Sequence, residues 1–277
     1  METVYCRNHN KWGSVLDNKL IWNANWRELA QYSTNSAGNR WAFYLIRKVL
    51  KDISLDEGIV LDVGCGMGNK TSLLADIYPG NKVVGIDFSE EGITFASSYY
   101  SSISNLHFFC EDAIKYAKET KENISLVSAF ELIEHIEDWR AFLHDLCAIS
   151  GGYVLISTPI GIMREYEKKI GHYRNNQKGE IEAFMSIEGY EPVNVLYAGF
   201  PFWSPITRNF YNWLNMRKSS DDNEPKTLVV SHNKIFHCFT YFLYRYLSFT
   251  RIGDQFMGLF RRQSINQSIN QSINQRT

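Results

Sequence analysis

Residues 58–72, GIVLDVGCGMGNKTS, set a carboxylate, Asp62, two positions ahead of three glycines, Gly64, Gly66 and Gly68, that recur at every second residue. Glycine reaches positive φ without a Cβ clash and lets a ligand approach the backbone, while the first N–H groups of a following helix lack partners within it. The segment reads as strand, tight turn and helix, a cradle for a nucleotide-like ligand; a plain turn between packed elements is the alternative. A second carboxylate, Asp87, ends the run KVVGID about 20 residues later, where an acidic side chain can accept both hydroxyls of a ribose. Capping the next helix is its other use, and Ser89 can do that equally well. His135 and His172 carry side chains whose ordinary pKa lies near neutrality, so they are the candidates for a general base acting on a hydroxyl. A dinucleotide fingerprint needs glycine or alanine at its third site, where this chain has Asn69, and the spacing therefore argues against a nicotinamide cofactor.

The stretch LDVGCGMG closely resembles the first motif of the class I S-adenosylmethionine-dependent methyltransferases. The resemblance implies S-adenosyl-L-methionine as cofactor. Asp62 would lie near the methionine ammonium through water, and the backbone of Gly64, Gly66 and Gly68 alongside the tail and ribose. Asp87 would hold the ribose and Phe88 would lie on the adenine face. Asp112, after the run LHFFC, would accept from the adenine amino group and Ala113 would donate its N–H to the ring, a helix cap being the alternative for Asp112. Phe130 and Glu131 would line the cofactor floor. The segment SAFELIEHIEDWRAFLHDL resembles the Glu-His turn of the subset that includes ubiquinone-biosynthesis O-methyltransferases, with Glu134 and His135 facing the methyl group or its acceptor. ISTPIG at 156–161 and GHYRNN at 171–176, which carries His172, resemble later segments of the same subset; the likeness covers 59–198. A bracing role for His135 and a surface loop for His172 are the alternatives.

Methyl transfer from a sulfonium is an in-line displacement in which the protein chiefly holds the nucleophile opposite the sulfur. A hydroxyl acceptor benefits from a base, an amine needs only its lone pair, and a carbon acceptor needs an enolate. The two histidines and the family subset favour oxygen, in a small, apolar metabolite of specialised, lipid or quinone biosynthesis. Nitrogen or carbon transfer is the alternative, as is a cofactor-binding pseudoenzyme whose insertion docks on a membrane or protein. Nucleic-acid amino-methyltransferases carry an Asn-Pro-Pro-Tyr-like motif where this chain has Phe130-Glu131-Leu132-Ile133.

The elements that must position these groups follow from periodicity. Apolar runs at 59–63, 82–86, 106–110, 124–129 and 153–157 alternate with helical stretches, the pattern of a parallel sheet covered on both faces. Two further strands, 191–200 and 254–262, read as a terminal hairpin interrupted by an insertion. The expected fold is α/β: a Rossmann-like, seven-stranded, mostly parallel sheet with an antiparallel terminal strand. Residues 1–50 read as a helical N-terminal cap, with Trp22, Trp26 and Leu29 on one face and Trp41, Leu45 and Val49 repeating the spacing. Residues 51–262 form the cofactor-binding domain with a helical insertion at 200–253, and 263–277, QSINQ-repetitive, a disordered tail. Within the insertion Ser204-Pro205 reads as a helix start, with Ile206, Phe210, Trp213 and Leu214 on one face, and SSDDNEP at 219–225 as a break. IFHCFTYFLYRYLSF at 235–249 carries an apolar stripe of Ile235, Phe236, Phe239, Phe242, Leu243 and Tyr246, expected to pack as the back wall of the acceptor pocket, with a peripheral membrane contact as the alternative.

Composition bounds the rest. A formal net charge of −1 over 277 residues leaves no electrostatic footprint for nucleic acid. Five cysteines, widely spaced and without C-x-x-C pairs, suggest neither a disulfide framework nor a metal site, and fit a reducing cytoplasm. No N-terminal signal segment and no spanning-length apolar run is visible, so a soluble, cytoplasmic protein with a small-molecule acceptor is expected.

Overall fold

A computed structural model describes residues 36–218 and 233–263. The expected helix of Trp22, Trp26 and Leu29, the break at 219–225 and the tail from 264 onward lie outside the described residues. In chain order the principal elements are α1 (Ala37–Val49), β1 (Ile59–Val63), α2 (Asn69–Ile77), β2 (Lys82–Asp87), α3 (Glu90–Tyr99), β3 (Leu106–Cys110), α4 (Ala113–Glu119) and β4 (Ile124–Phe130). Then follow a short 3₁₀ turn (Ile133–His135), α5 (Trp139–Ile149), β5 (Tyr153–Pro159), α6 (Glu165–Lys169), α7 (Glu180–Ile187), β6 (Tyr190–Ala198), α8 (Arg208–Lys218), α9 (Lys234–Leu247) and β7 (Gln255–Arg262).

The seven strands form one sheet in the order β3-β2-β1-β4-β5-β7-β6. Neighbours from β3 to β5 are parallel, and β7 lies antiparallel between β5 and β6. The interrupted terminal hairpin is therefore present. Side chains alternate across a strand, so Ile59, Leu61 and Val63 join Trp139, Leu143 and Leu146 of α5 on one face. Val60, Val83, Leu126 and Leu155 meet Trp41, Leu45 and Val49 of α1 on the other. Where a cap was expected, α1 is part of this second apolar layer, because its buried stripe matches the sheet face left open by α5 and α7. Ser36 starts it by accepting from the Asn39 N–H.

Two expectations for the insertion are corrected. Ser204 has the extended dihedrals of a helix start ahead of Pro205, but its side chain does not cap: the hydroxyl donates to Asp254 at 2.5 Å, and the regular α-helix begins at Arg208. The apolar stripe of α9 does not form a wall, since Ile235, Phe239, Phe242 and Tyr246 face solvent. Thr240 and Tyr244 turn inward instead, Tyr244 edge-on to Trp203 with centroids 5.3 Å apart and also beside Trp41. A helix with aromatic residues on both faces buries the face that finds partners.

Candidate active site

The glycine turn sits at the C-terminal end of β1, in the middle of the sheet, where the strand order reverses and where open α/β sheets bind ligands. Gly64, Gly66 and Gly68 all have positive φ, at 72°, 54° and 77°. The Gly64 and Cys65 N–H groups donate to the Ile86 carbonyl, which pins the turn to the end of β2. A Cβ on Gly68 would sit 2.5 Å from the Phe108 ring, and one on Gly64 2.7 Å from the Leu132 side chain, so both positions are closed to larger residues by packing as well as by φ.

Asp62 is buried beneath the turn. Register sets it opposite Ser128 of β4, whose hydroxyl donates to Oδ1 at 2.7 Å, while Thr71 of α2 donates to Oδ2 at 2.6 Å. Burial raises its pKa to about 6 against these two hydrogen bonds. Asp87, half-buried at the end of β2, accepts the Gly66 N–H and the Ser89 N–H, each at 2.8 Å. The helix cap is Ser89, which accepts from the Gly92 N–H, so Asp87 braces the glycine turn rather than starting α3. Phe88 follows, more than a third exposed. In register with Asp87, Cys110 ends β3, and two residues on Asp112 caps α4 by accepting from the Lys115 N–H at 2.7 Å, with Ala113 buried behind it. Three carboxylates thus stand at or just beyond the ends of β1, β2 and β3, a set of acceptors that suits hydroxyls and a cationic ligand such as S-adenosylmethionine.

Beyond β4, Phe130 is buried, with the Lys70 ammonium 5.8 Å from its ring centre. Glu131 adopts φ 52°, a left-handed bend uncommon for a residue with a side chain. Its Oε1 accepts from Ser157 at 2.7 Å and Gln255 at 2.9 Å, so β5 and β7 both hold the bend. Leu132 packs on Gly64, and the 3₁₀ turn then presents Glu134 and His135. Buried Glu134 accepts from Thr158 at 3.0 Å; desolvation, with Glu131 nearby, pushes its pKa well above the carboxylate range.

The fold brings the two sequence-distant histidines together. The His135 and His172 rings meet edge to face with centroids 4.6 Å apart, and the Tyr173 N–H donates to the Glu134 carbonyl, which fixes the second loop on the first. Burial lowers the His135 pKa to about 3 and that of His172 to about 4, so both are neutral at pH 7. His135 Nδ1 lies 3.2 Å from the Gly171 carbonyl and therefore carries the proton. Asn175 fixes the tautomer of His172: its Nδ2 donates to Glu167 and Ile162, leaving Oδ1 to accept from His172 Nδ1 at 3.4 Å. The lone pair of each ring is then on Nε2. Glu167 is itself paired with buried Arg208. Although no metal was expected, Glu134, His135 and His172 offer three ligand atoms within 4.8 Å of one another, a donor set that a divalent cation could use.

Sequence reasoning missed Thr71, Ser128, Ser157, Gln255, Asn175, Glu167 and Arg208. Ser128 had a legible signal, a hydroxyl inside the otherwise apolar run ISLVSAF, and Thr71 and Asn175 stand inside the runs at 58–72 and 171–176 with the residues they bond; the others act across the fold. Among the described residues no two cysteines form a disulfide, and no helix is long and apolar enough to cross a membrane.

A family model for the methyltransferase domain matches residues 39–204. The ubiquinone biosynthesis O-methyltransferase of Coxiella burnetii is 31% identical over 143 residues, which take in 49% of this chain and 60% of that protein. The protein of the same name from Hydrogenovibrio crunogenus is 30% identical over 108 residues, 38% of this chain and 44% of that one. The chain thus spans less than two thirds of the curated relatives it matches. Among solved structures, magnesium protoporphyrin IX methyltransferase of Synechocystis with bound S-adenosylmethionine shares the fold with a TM-score of 0.52 at 12% identity, over 90% of this chain and 99% of that one. Coclaurine N-methyltransferase is similar in fold, with a TM-score of 0.51 at 18% identity over 81% of this chain and 72% of that one. With a family model matched over more than half of its length, from α1 to the start of the insertion, the chain belongs to the methyltransferase domain family, among the class I enzymes whose cofactor is S-adenosyl-L-methionine.

Proposed function

We propose that the protein transfers a methyl group from S-adenosylmethionine to a hydroxyl oxygen of a small, apolar metabolite, with His172 as the general base. The observation that carries this reading is the orientation of His172 by Asn175 and Glu167, which leaves the Nε2 lone pair on a neutral ring. The names of the curated relatives, which act in ubiquinone biosynthesis, support an oxygen acceptor on an apolar molecule.

Bound at the glycine turn, the cofactor supplies an electrophilic methyl on a sulfonium. Asp87 and the turn backbone would hold the ribose, Phe88 the adenine face, Asp112 and Ala113 the adenine edge, Asp62 the ammonium, and Phe130 and Glu131 the floor. Leu132, packed on Gly64, links that turn to His135, whose N–H donates to the Leu132 carbonyl. A base with a depressed pKa is weak, so His172 takes the proton at Nε2 as the carbon–oxygen bond forms and the acceptor hydroxyl becomes acidic. His135 packs edge-on against that ring and limits its rotation.

Untargeted mass spectrometry of a host with and without the protein tests the class of acceptor. The proposal expects a hydroxylated apolar metabolite that gains about 14 Da, the CH₂ increment of methyl transfer, with fragmentation placing it on oxygen. An increment on nitrogen or carbon would refute oxygen transfer.

A further inference from the structure

Away from the histidines, the insertion carries a surface that methyl transfer does not use. In α9, Ile235, Phe239, Phe242 and Tyr246 recur at helical spacing on one face and are 80%, 60%, 50% and 65% exposed. Phe249 and Ile252, just past the end of α9, are exposed by more than half as well. Soluble surfaces rarely gather this many large apolar side chains without a use for them.

The charged residues within α9 and just past its end have one sign. Residues 233–253 contain no aspartate or glutamate, and neither do residues 199–218; Asp254, just beyond, is paired with Arg208, and Asp221, Asp222 and Glu224 lie outside the described residues. Lys234 opens α9 and Arg251 follows it, both exposed, and the Arg245 guanidinium lies 3.8 Å from the centre of the Tyr44 ring, close to the helix's C-terminal end. The inward face of α9 is satisfied by Trp41 and Trp203 through Tyr244, so the helix is anchored to the domain and holds its outer face rigidly. An apolar ridge on a helix that carries cations and no acids of its own is complementary to a lipid surface, where aromatic side chains enter the headgroup boundary and Lys and Arg meet anionic headgroups. A partner protein would face the same cations without the acyl layer that the aromatic ridge needs.

We propose that the outer face of α9, with the loop to Ile252, docks the enzyme on anionic lipid bilayers. The inference rests on this face alone and stands whether the acceptor atom is oxygen or nitrogen. The test is flotation of the full chain with phosphatidylcholine vesicles, with and without phosphatidylglycerol, in low and high salt. The wild type is expected to float with the anionic vesicles and to be released by salt. Phe239→Asp should lower the partition coefficient about tenfold or more while leaving S-adenosylmethionine affinity unchanged, because Phe239 is exposed and distant in sequence from the glycine turn. Should that variant fail to fold, the double variant Lys234→Glu/Arg251→Glu, confined to exposed side chains, is expected to abolish the preference for anionic lipid. Absence of flotation with either vesicle overturns the proposal, as does flotation that neither variant weakens. So does a dimer in sedimentation that Phe239→Asp dissolves, which would assign the face to a second copy of this chain.

Discussion

Each carboxylate at the site has a different environment and hence a different test. Asp87 braces the Gly66 and Ser89 N–H groups and stands where a ribose would lie, so Asp87→Ala is expected to weaken S-adenosylmethionine by at least about tenfold in calorimetry, from lost charge-assisted bonds of about 1.5–3 kcal/mol each. Asp62 is buried with its pKa raised to about 6 from an ordinary 3.8. A raised carboxylate pKa contributes stability that is present below the ordinary value and lost as pH rises through about 6, here about 3 kcal/mol. Asp62→Asn should remove that slope between pH 4 and 7 in chemical denaturation; parallel curves for the two proteins would contradict the burial argument. The histidines act in the opposite sense. Their pKa values are lowered, so the stability they contribute is present above about 6.5 and lost as pH falls toward 4 and 3. For catalysis the same shift predicts a rate that stays flat down to about pH 5 and falls through about 4 as His172 protonates. Asn175→Ala should lower kcat about tenfold or more and shift that limb without altering cofactor affinity, because it releases the tautomer and not the cofactor turn. An acid limb near 6.5 in the wild type would contradict a desolvated base.

At the scale of elements, the glycine turn was legible because its chemistry is local. Positive φ at three alternate residues and an acid before them are visible in eight letters, and the strand runs lie within two residues of the observed ones. Gly68→Val is therefore expected to abolish cofactor binding and lower the melting temperature, since its side chain would enter the Phe108 ring at φ 77°. Gly80→Ala, with nothing near the new methyl, should change stability by less than about 0.5 kcal/mol. Equal melting temperatures for the two variants would show the turn to be looser than described. The insertion was less legible for a physical reason. Spacing revealed the aromatic stripe of α9, yet the choice between its faces depends on Trp41, about 200 residues away, and on Trp203. Ser204 reads as a cap until Asp254, 50 residues on, offers its hydroxyl a stronger, charged acceptor.

Across the whole molecule, the topology gathers distant segments at one end of the sheet. The cofactor turn arrives on β1, the acids on β2 and β3, and the Glu-His turn on β4. The second histidine comes after β5, oriented through Glu167 by an arginine of the insertion, and that arginine also pairs with Asp254 at the entry to β7. In the chain Arg208 to Glu167 to Asn175 to His172 the link from the insertion joins residues 41 apart, which explains why sequence alone left the choice of base open. The measurement that tests the account most directly is single-turnover transfer of isotopically labelled methyl from S-adenosylmethionine to a panel of small apolar phenols and their amine counterparts, with wild type, His135→Ala and His172→Ala at pH 7. The account predicts label on phenolic oxygen, a loss of about 10²–10⁴ in rate for His172→Ala with cofactor affinity unchanged, and a smaller loss for His135→Ala. Label transferred only to amines, or to phenols at an undiminished rate by His172→Ala, would contradict it.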